Sequence, residues 1–119
     1  MRQFVACLAA LFVGLVSAQQ VSVVEYQNTS LDAYFITGRA DEQAVLDKAS
    51  GFRRTGMTFV ATTASTGALL GRPSVCRYYI SIPSPFTSSH FYGTTGGDCE
   101  LIASLAPGGF SYEGLDFSI

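Results

Sequence analysis

Apolar and polar positions alternate weakly from Val21 to Tyr26. Val24 and Tyr26 fall on one side and Glu25 on the other, which predicts a first strand. Gln27 to Ser30 is a turn cluster. Ala33 to Thr37 is apolar almost throughout and predicts a second strand covered on both faces. The period changes between Gly38 and Ala49, where Asp41 and Glu42 suit a first helical turn and Ala44, Val45, Leu46 and Ala49 give one apolar face. Gly51 stops this helix, and Phe52 to Thr62 returns as a third strand, with Gly56 marking a bulge inside it. Thr63 to Ser74 is small and polar and predicts a connector, with Leu69 and Leu70 tucked into the core.

The pattern then recurs. Val75-Cys76-Arg77-Tyr78 aligns with Val23-Val24-Glu25-Tyr26 at an offset of 52. Ile82 to Ser88, with Pro83 and Pro85, predicts an enlarged loop. Ser89 to Thr94 aligns with Asp32 to Thr37 at an offset of 57, which gives that loop five extra residues. Asp98 caps a short helix from Cys99 to Leu105, and Pro107-Gly108-Gly109 stops it. Phe110-Ser-Tyr-Glu-Gly-Leu-Asp-Phe117 matches Phe52-Arg-Arg-Thr-Gly-Met-Thr-Phe59 at an offset of 58. The predicted fold class is therefore α+β. Two strand-strand-helix-strand repeats, about 21–62 and 75–119, form an antiparallel sheet with both short helices on one face.

The first segment reads as a leader. Arg2 is its positive end, Phe4 to Val16 its apolar run, and Val16-Ser17-Ala18 its cleavage site, so residues 1–18 are a signal peptide and the chain is exported to periplasm or medium. The run is shorter than the ~20 apolar residues a membrane span needs. A lipoprotein reading at Cys7 fails because Cys7 does not follow the apolar run, and a modified Cys7 would leave almost no leader to be cut. The remaining 101 residues make one domain, with no membrane span after cleavage.

Charge narrows the function. Without Arg2, six basic and nine acidic side chains leave a net charge of −3, and the basic residues are scattered. Nucleic acid needs a clustered basic face and is excluded as a partner. Cys76 and Cys99 remain after cleavage, and an even pair in an exported chain predicts a disulfide. Asn28-Thr29-Ser30 fits a glycosylation pattern but is idle behind a bacterial-type leader.

Arg-Tyr-Tyr, Ser-His-Phe-Tyr, an acidic helix start and Phe-Ser-Tyr-Glu-Gly-Leu-Asp-Phe resemble a repeat family of unknown function in exported bacterial proteins. Its units run Tyr-Arg-Phe-Tyr-Asn, His-Phe-Tyr-Thr, a Glu-rich helix, then Tyr-Glu-Gly-x-Ala-Phe. The resemblance covers about 23–119; the first copy lacks the His and the Tyr-Glu but keeps Gly56 and Phe59. It implies a secreted module, with cell-wall glycan or another exported protein as partner.

Catalytic chemistry finds little support. His90 is the only His, and no nucleophile elbow accompanies it. It reads as a packed ring beside Tyr92 bonded to backbone, with ligand contact or a general base as the other readings. Glu113 and Asp116 are three apart on a strand and should face opposite ways, with Glu113 paired to Arg77 or capping a turn. No calcium or zinc pattern occurs, so the sequence predicts no catalytic residue, no metal and no cofactor. The residues open to ligand contact are Tyr79, His90, Tyr92, Tyr112 and Glu113. A non-catalytic binding or accessory module and a structural protein of the envelope are the two surviving classes, with a small glycan hydrolase as a remote third. An exposed coplanar pair of Tyr rings would favour glycan; an apolar edge strand would favour protein association.

Overall fold

The computed structural model describes residues 18–81, 88–105 and 109–119. The leader's apolar run with Cys7, the loop after Ser81 and the Pro107-Gly108 stop lie outside the described residues. The fold is a mostly antiparallel six-stranded sheet with three helices, of α+β type. Its elements are β1 (Gln20–Asn28), β2 (Ala33–Thr37), α1 (Ala40–Leu46), β3 (Phe52–Thr63), α2 (Ala64–Leu69), β4 (Ser74–Ile80), β5 (Ser89–Thr94), α3 (Asp98–Leu105) and β6 (Phe110–Ser118).

The strand order is β2-β1-β3-β6-β4-β5. Two three-stranded halves meet through only two ladder pairs, Thr62 with Ser118 and Thr63 with Phe117. The far edges, β2 and β5, also meet. The Tyr92 hydroxyl accepts from Ile36 N at 2.9 Å and donates to Ile36 O at 2.6 Å. One phenol thus satisfies both backbone groups of an edge residue, as a ladder partner would. Burial pushes the Tyr92 hydroxyl pKa well up, so it stays protonated and able to donate.

Valine pairs in β1 explain why alternation there is weak. Val23 is fully buried against Val75 and Phe117, while Val24 and Tyr26 pack with Phe35 and Leu46. Both faces are covered, so both must be apolar. A third cluster joins Cys76 and Tyr78 to Cys99. There the Cys76–Cys99 disulfide ties β4 to α3, with Cα atoms 6.0 Å apart.

Several sequence expectations change. β1 extends through Gln27 and Asn28, and the turn begins at Thr29, where Asn28 Oδ1 accepts from Ser30 N and Leu31 N. α1 ends at Leu46, three residues short of Ala49, so it is no longer than α3. Leu46 is its buried residue, and Val45 is 68% exposed. Polar ties substitute for apolar burial: Gln43 Nε2 donates to Ser22 O and Thr37 O, and Tyr26 Oη donates to Asp47. The connector holds a third helix, α2, started by Thr63 Oγ1 accepting from Thr66 N. Leu69 and Leu70 point outward instead of into the core; the buried residues of α2 are Thr66 and Gly67. Gly67 lies so close to buried Ser118 that no Cβ fits between them. β2 is an edge strand covered on one face only: Phe35 and Thr37 are buried, and Tyr34 on the other face is exposed. Asp98 is the first residue of α3, and Glu100 does the capping, accepting from Gly96 N and Gly97 N.

Candidate functional site

The site begins with a charge in the wrong place. Arg77 lies in β4 among buried residues, and its side chain is 3% exposed. An isolated charge there would be prohibitive, so it must be paired. Nε donates to Glu113 Oε2 at 2.7 Å. Nη1 and Nη2 donate to the two oxygens of Glu42, each at 2.7 Å, as a fork. Nη1 also reaches Asp116 Oδ2 at 3.4 Å.

Backbone irregularity makes this convergence. The β4–β6 register shifts between Val75 and Cys76, and again between Arg77 and Tyr78. Asp116 and Glu113 are the residues skipped at those two shifts, so each is a bulge residue. Gly114 between them has φ +97, a conformation costly for any residue with a Cβ. Alternation therefore fails, and Glu113 and Asp116 turn to the same guanidinium instead of facing opposite ways. Glu42 comes from α1 in the other half. The junction is fixed by Gly38 N donating to Asp116 Oδ1 at 2.7 Å and Arg39 Nη2 donating to Glu113 O at 2.6 Å.

Burial alone would push the Glu42 carboxyl up, but hydrogen bonds from Arg77 and Thr37 and the Arg77 charge hold it below its ordinary value. Asp116 is deeper. Burial raises its pKa, and the Gly38 N–H and Arg77 offset only part of that. Arg77 itself is desolvated, yet Glu42 and Glu113 push its pKa higher still.

His90 sits beside this cluster. Its Nε2 lies 3.2 Å from Glu113 Oε2, and its ring is 5.1 Å from Phe35, 5.4 Å from Tyr79 and 6.4 Å from Tyr92. The sequence reading gave it a backbone partner; the geometry gives it a carboxylate. Burial lowers its pKa, and Arg77 adds to that, against the raising pull of Glu113. The lowered pKa favours the neutral imidazole, and the short Nε2–Oε2 approach suits the tautomer with its proton on Nε2.

Over these groups opens a cleft of about 420 Å³ between the halves. Phe35, Leu46 and Phe52 form its apolar side. Tyr34, Tyr79 and His90 add rings with polar tips, and Glu42 and Glu113 present carboxylate edges, each side chain 29% exposed. The volume lies within the range of small-ligand sites. Of the residues singled out from sequence, Tyr79, His90 and Glu113 line this cleft. Tyr92 is the bridge to Ile36, and Tyr112 lies elsewhere, on a groove beside α3 with Tyr78. The Tyr78–Tyr112 rings are tilted at 47° and Tyr78 is buried, so they form no flat exposed pair.

Glu42, Phe35 and Phe52 were missed as site residues. Glu42 looks like a routine first-turn acid, and the two Phe look like core. The usable signal was Arg77, a charge inside the apolar run Val75 to Ile80. Among the described residues no group of three or more His, Cys, Asp or Glu is arranged to hold a metal, and no helix is long and apolar enough to cross a membrane. No protein-family model matches the chain, and no curated protein or solved structure matches it either.

Proposed function

We propose that this chain is a small exported, non-catalytic binding module, built from two copies of one unit, and that the cleft between the copies is its ligand site. The observation that carries the reading is the aromatic-walled cleft with two carboxylate edges at the junction of the halves. Rings that stack on the apolar face of a pyranose, beside acceptors for its hydroxyls, suit a glycan. The same network argues against hydrolysis: Arg77 holds Glu42 ionised, which removes it as a proton donor.

Ladder register supports the duplication. Val23 faces Phe59 as Val75 faces Phe117; Tyr26 faces Arg54 as Tyr78 faces Tyr112; Asn28 faces Phe52 as Ile80 faces Phe110. Gly56 and Gly114 share one conformation, φ +95 and +97. On the middle strand Tyr26 faces Phe35 as Tyr78 faces Phe91, an offset of 56. That register favours aligning Tyr34, instead of Ala33, with His90, and a second loop longer by four residues instead of five. Arg2, the apolar run and the Val16-Ser17-Ala18 site support export, and the Cys76–Cys99 bond fits an oxidising compartment.

The test is chemical-shift mapping of the intact, oxidised protein with soluble oligomers of wall glycans. Shifts at Tyr79, His90 and Phe52 are expected, and Tyr79→Ala should weaken binding about fivefold, as loss of one ring contact does. Shifts confined to surfaces away from the cleft would defeat the assignment.

A second reading has its own observation. β6 pairs β3 only at Thr62 and Thr63, and the exposed remainder of β3 carries Met57 and Val60, 67% and 65% exposed. Such a flank favours protein association, as in an envelope structural protein. Concentration-dependent sedimentation that Val60→Lys abolishes would support it over the glycan reading.

A further inference from the structure

Charge in the cleft is not balanced, and the imbalance selects among glycans. Three carboxylates, Glu42, Glu113 and Asp116, surround the Arg77 guanidinium, with Arg39 the other cation bonded to this junction. Burial disfavours the charged form of His90, so its ring adds little to the positive side. Among the described residues at this junction the count is three negative against two positive.

Position matters more than the count. The Arg77 side chain is 3% exposed and that of Asp116 is 0% exposed, so neither meets a ligand. The Glu42 and Glu113 side chains are each 29% exposed and open onto the cleft. A carboxylate offers about four acceptor sites; Glu42 uses two on Arg77 and one on Thr37, and Glu113 turns Oε2 to Arg77 and His90, so neither is saturated by these bonds. A ligand entering this space meets acceptor edges on one side and ring faces on the other. Both features favour a cation: carboxylate through charge-assisted hydrogen bonds, and Tyr and Phe rings through their quadrupoles.

Building on the cleft-binding reading, we infer that the ligand is a glycan bearing free amino groups, a glucosamine-type polymer, and that its protonated amine sits between Glu42 and Glu113. An acetylated amine lacks the charge and adds bulk where the carboxylates must approach. A neutral hexose offers only hydroxyl donors, whose hydrogen bonds to carboxylate lack the cation's charge.

The experiment is calorimetry with shift mapping on the intact protein, slightly on the acid side of neutrality, with three oligomers of equal length: glucosamine, N-acetylglucosamine and glucose. The glucosamine oligomer should bind at least about tenfold tighter than the other two, the worth of one charge-assisted hydrogen bond. Its affinity should fall as salt rises, while weak binding of the neutral oligomers stays level. Tyr34→Ala, at the exposed rim, should weaken all three alike; the salt dependence needs no mutant and so survives any variant that misfolds. Equal or tighter binding of a neutral oligomer at the same cleft residues overturns the amine inference and leaves the glycan reading intact. Failure of all three to perturb the cleft overturns both. A lysine-rich peptide binding there while the oligomers do not would assign the charge preference to a peptide ligand and overturn the sugar.

Discussion

Arg77 concentrates the electrostatic burden of this fold in one residue. Removing it would leave Glu42, Glu113 and Asp116 facing one another without a buried cation. Arg77→Ala should therefore cost about 3–5 kcal/mol, a large part of a small domain's stability. Arg77→Lys should recover little, because an ammonium cannot reproduce the fork to Glu42. Denaturant unfolding measures both, and a loss under ~1 kcal/mol for Arg77→Ala would refute the role. His90 gives a pH signature. Burial lowers its folded-state pKa, so the unfolded chain binds this proton first, at about 6.5. Stability is then full above ~6.5 and declines as pH falls toward the folded-state value. Glu42 acts in the same direction at lower pH, while Asp116, whose pKa is raised, acts oppositely. Unfolding free energy should fall between pH 7 and the carboxylate range, and His90→Gln should flatten the upper part of that slope. An unchanged slope in the variant would assign the effect elsewhere.

At the scale of elements, two short helices are anchored in different ways. α1 is held by Leu46 and by Gln43 and Asp47 hydrogen bonds. α3 has eight residues, Leu101 and Leu105 exposed, and the disulfide. Helices of this length are marginal without tertiary support. α1 has no bridge although it is a residue shorter than α3, and polar ties replace length. The bridge spans 23 residues and contributes roughly 3 kcal/mol by constraining the unfolded chain. Reduction, or Cys99→Ser, should lower the melting temperature by on the order of 10 °C or more, and hydrogen exchange should quicken first in α3. Thiol labelling of the native protein should find neither Cys76 nor Cys99 reactive. A variant melting within a few degrees of the parent would show that α3 is held by packing alone.

The whole molecule depends on closure between its halves. Two ladder pairs join them on one side, and Tyr92 joins the opposite edges. Tyr92→Phe keeps the ring but strips both bonds from Ile36, so it should cost about 1–3 kcal/mol and expose the Ile36 amide to exchange. A protected Ile36 amide in that variant would mean that other contacts close the sheet. Because the cleft lies at the same junction, ligand binding should weaken along with closure. Export belongs to this scale as well. The mature chain should begin at Gln19 in periplasm or medium, which N-terminal sequencing decides; retained Met1 or an acylated Cys7 would overturn it.

Sequence determined what local chemistry can determine. Alternation, turn residues and glycines located six strands and two helices, since each depends on neighbours a few positions away. The even cysteine pair, 23 residues apart, was legible by counting instead, and Arg77 was one of two partners read for Glu113. Helix α2 was not legible, because Ala64 to Leu69 lacks an apolar stripe and is held by the fit of Gly67 against Ser118. The cleft was half legible. Tyr79, His90 and Glu113 stood out as polar or aromatic residues on strands, whereas Glu42, Phe35 and Phe52 gained their place only when the other half closed over them. Tertiary structure alone decided that Glu113 and Asp116 share one guanidinium. Period-two alternation sends residues three apart to opposite faces, and only pairing with β4 shows where the ladder slips by one residue at each acid.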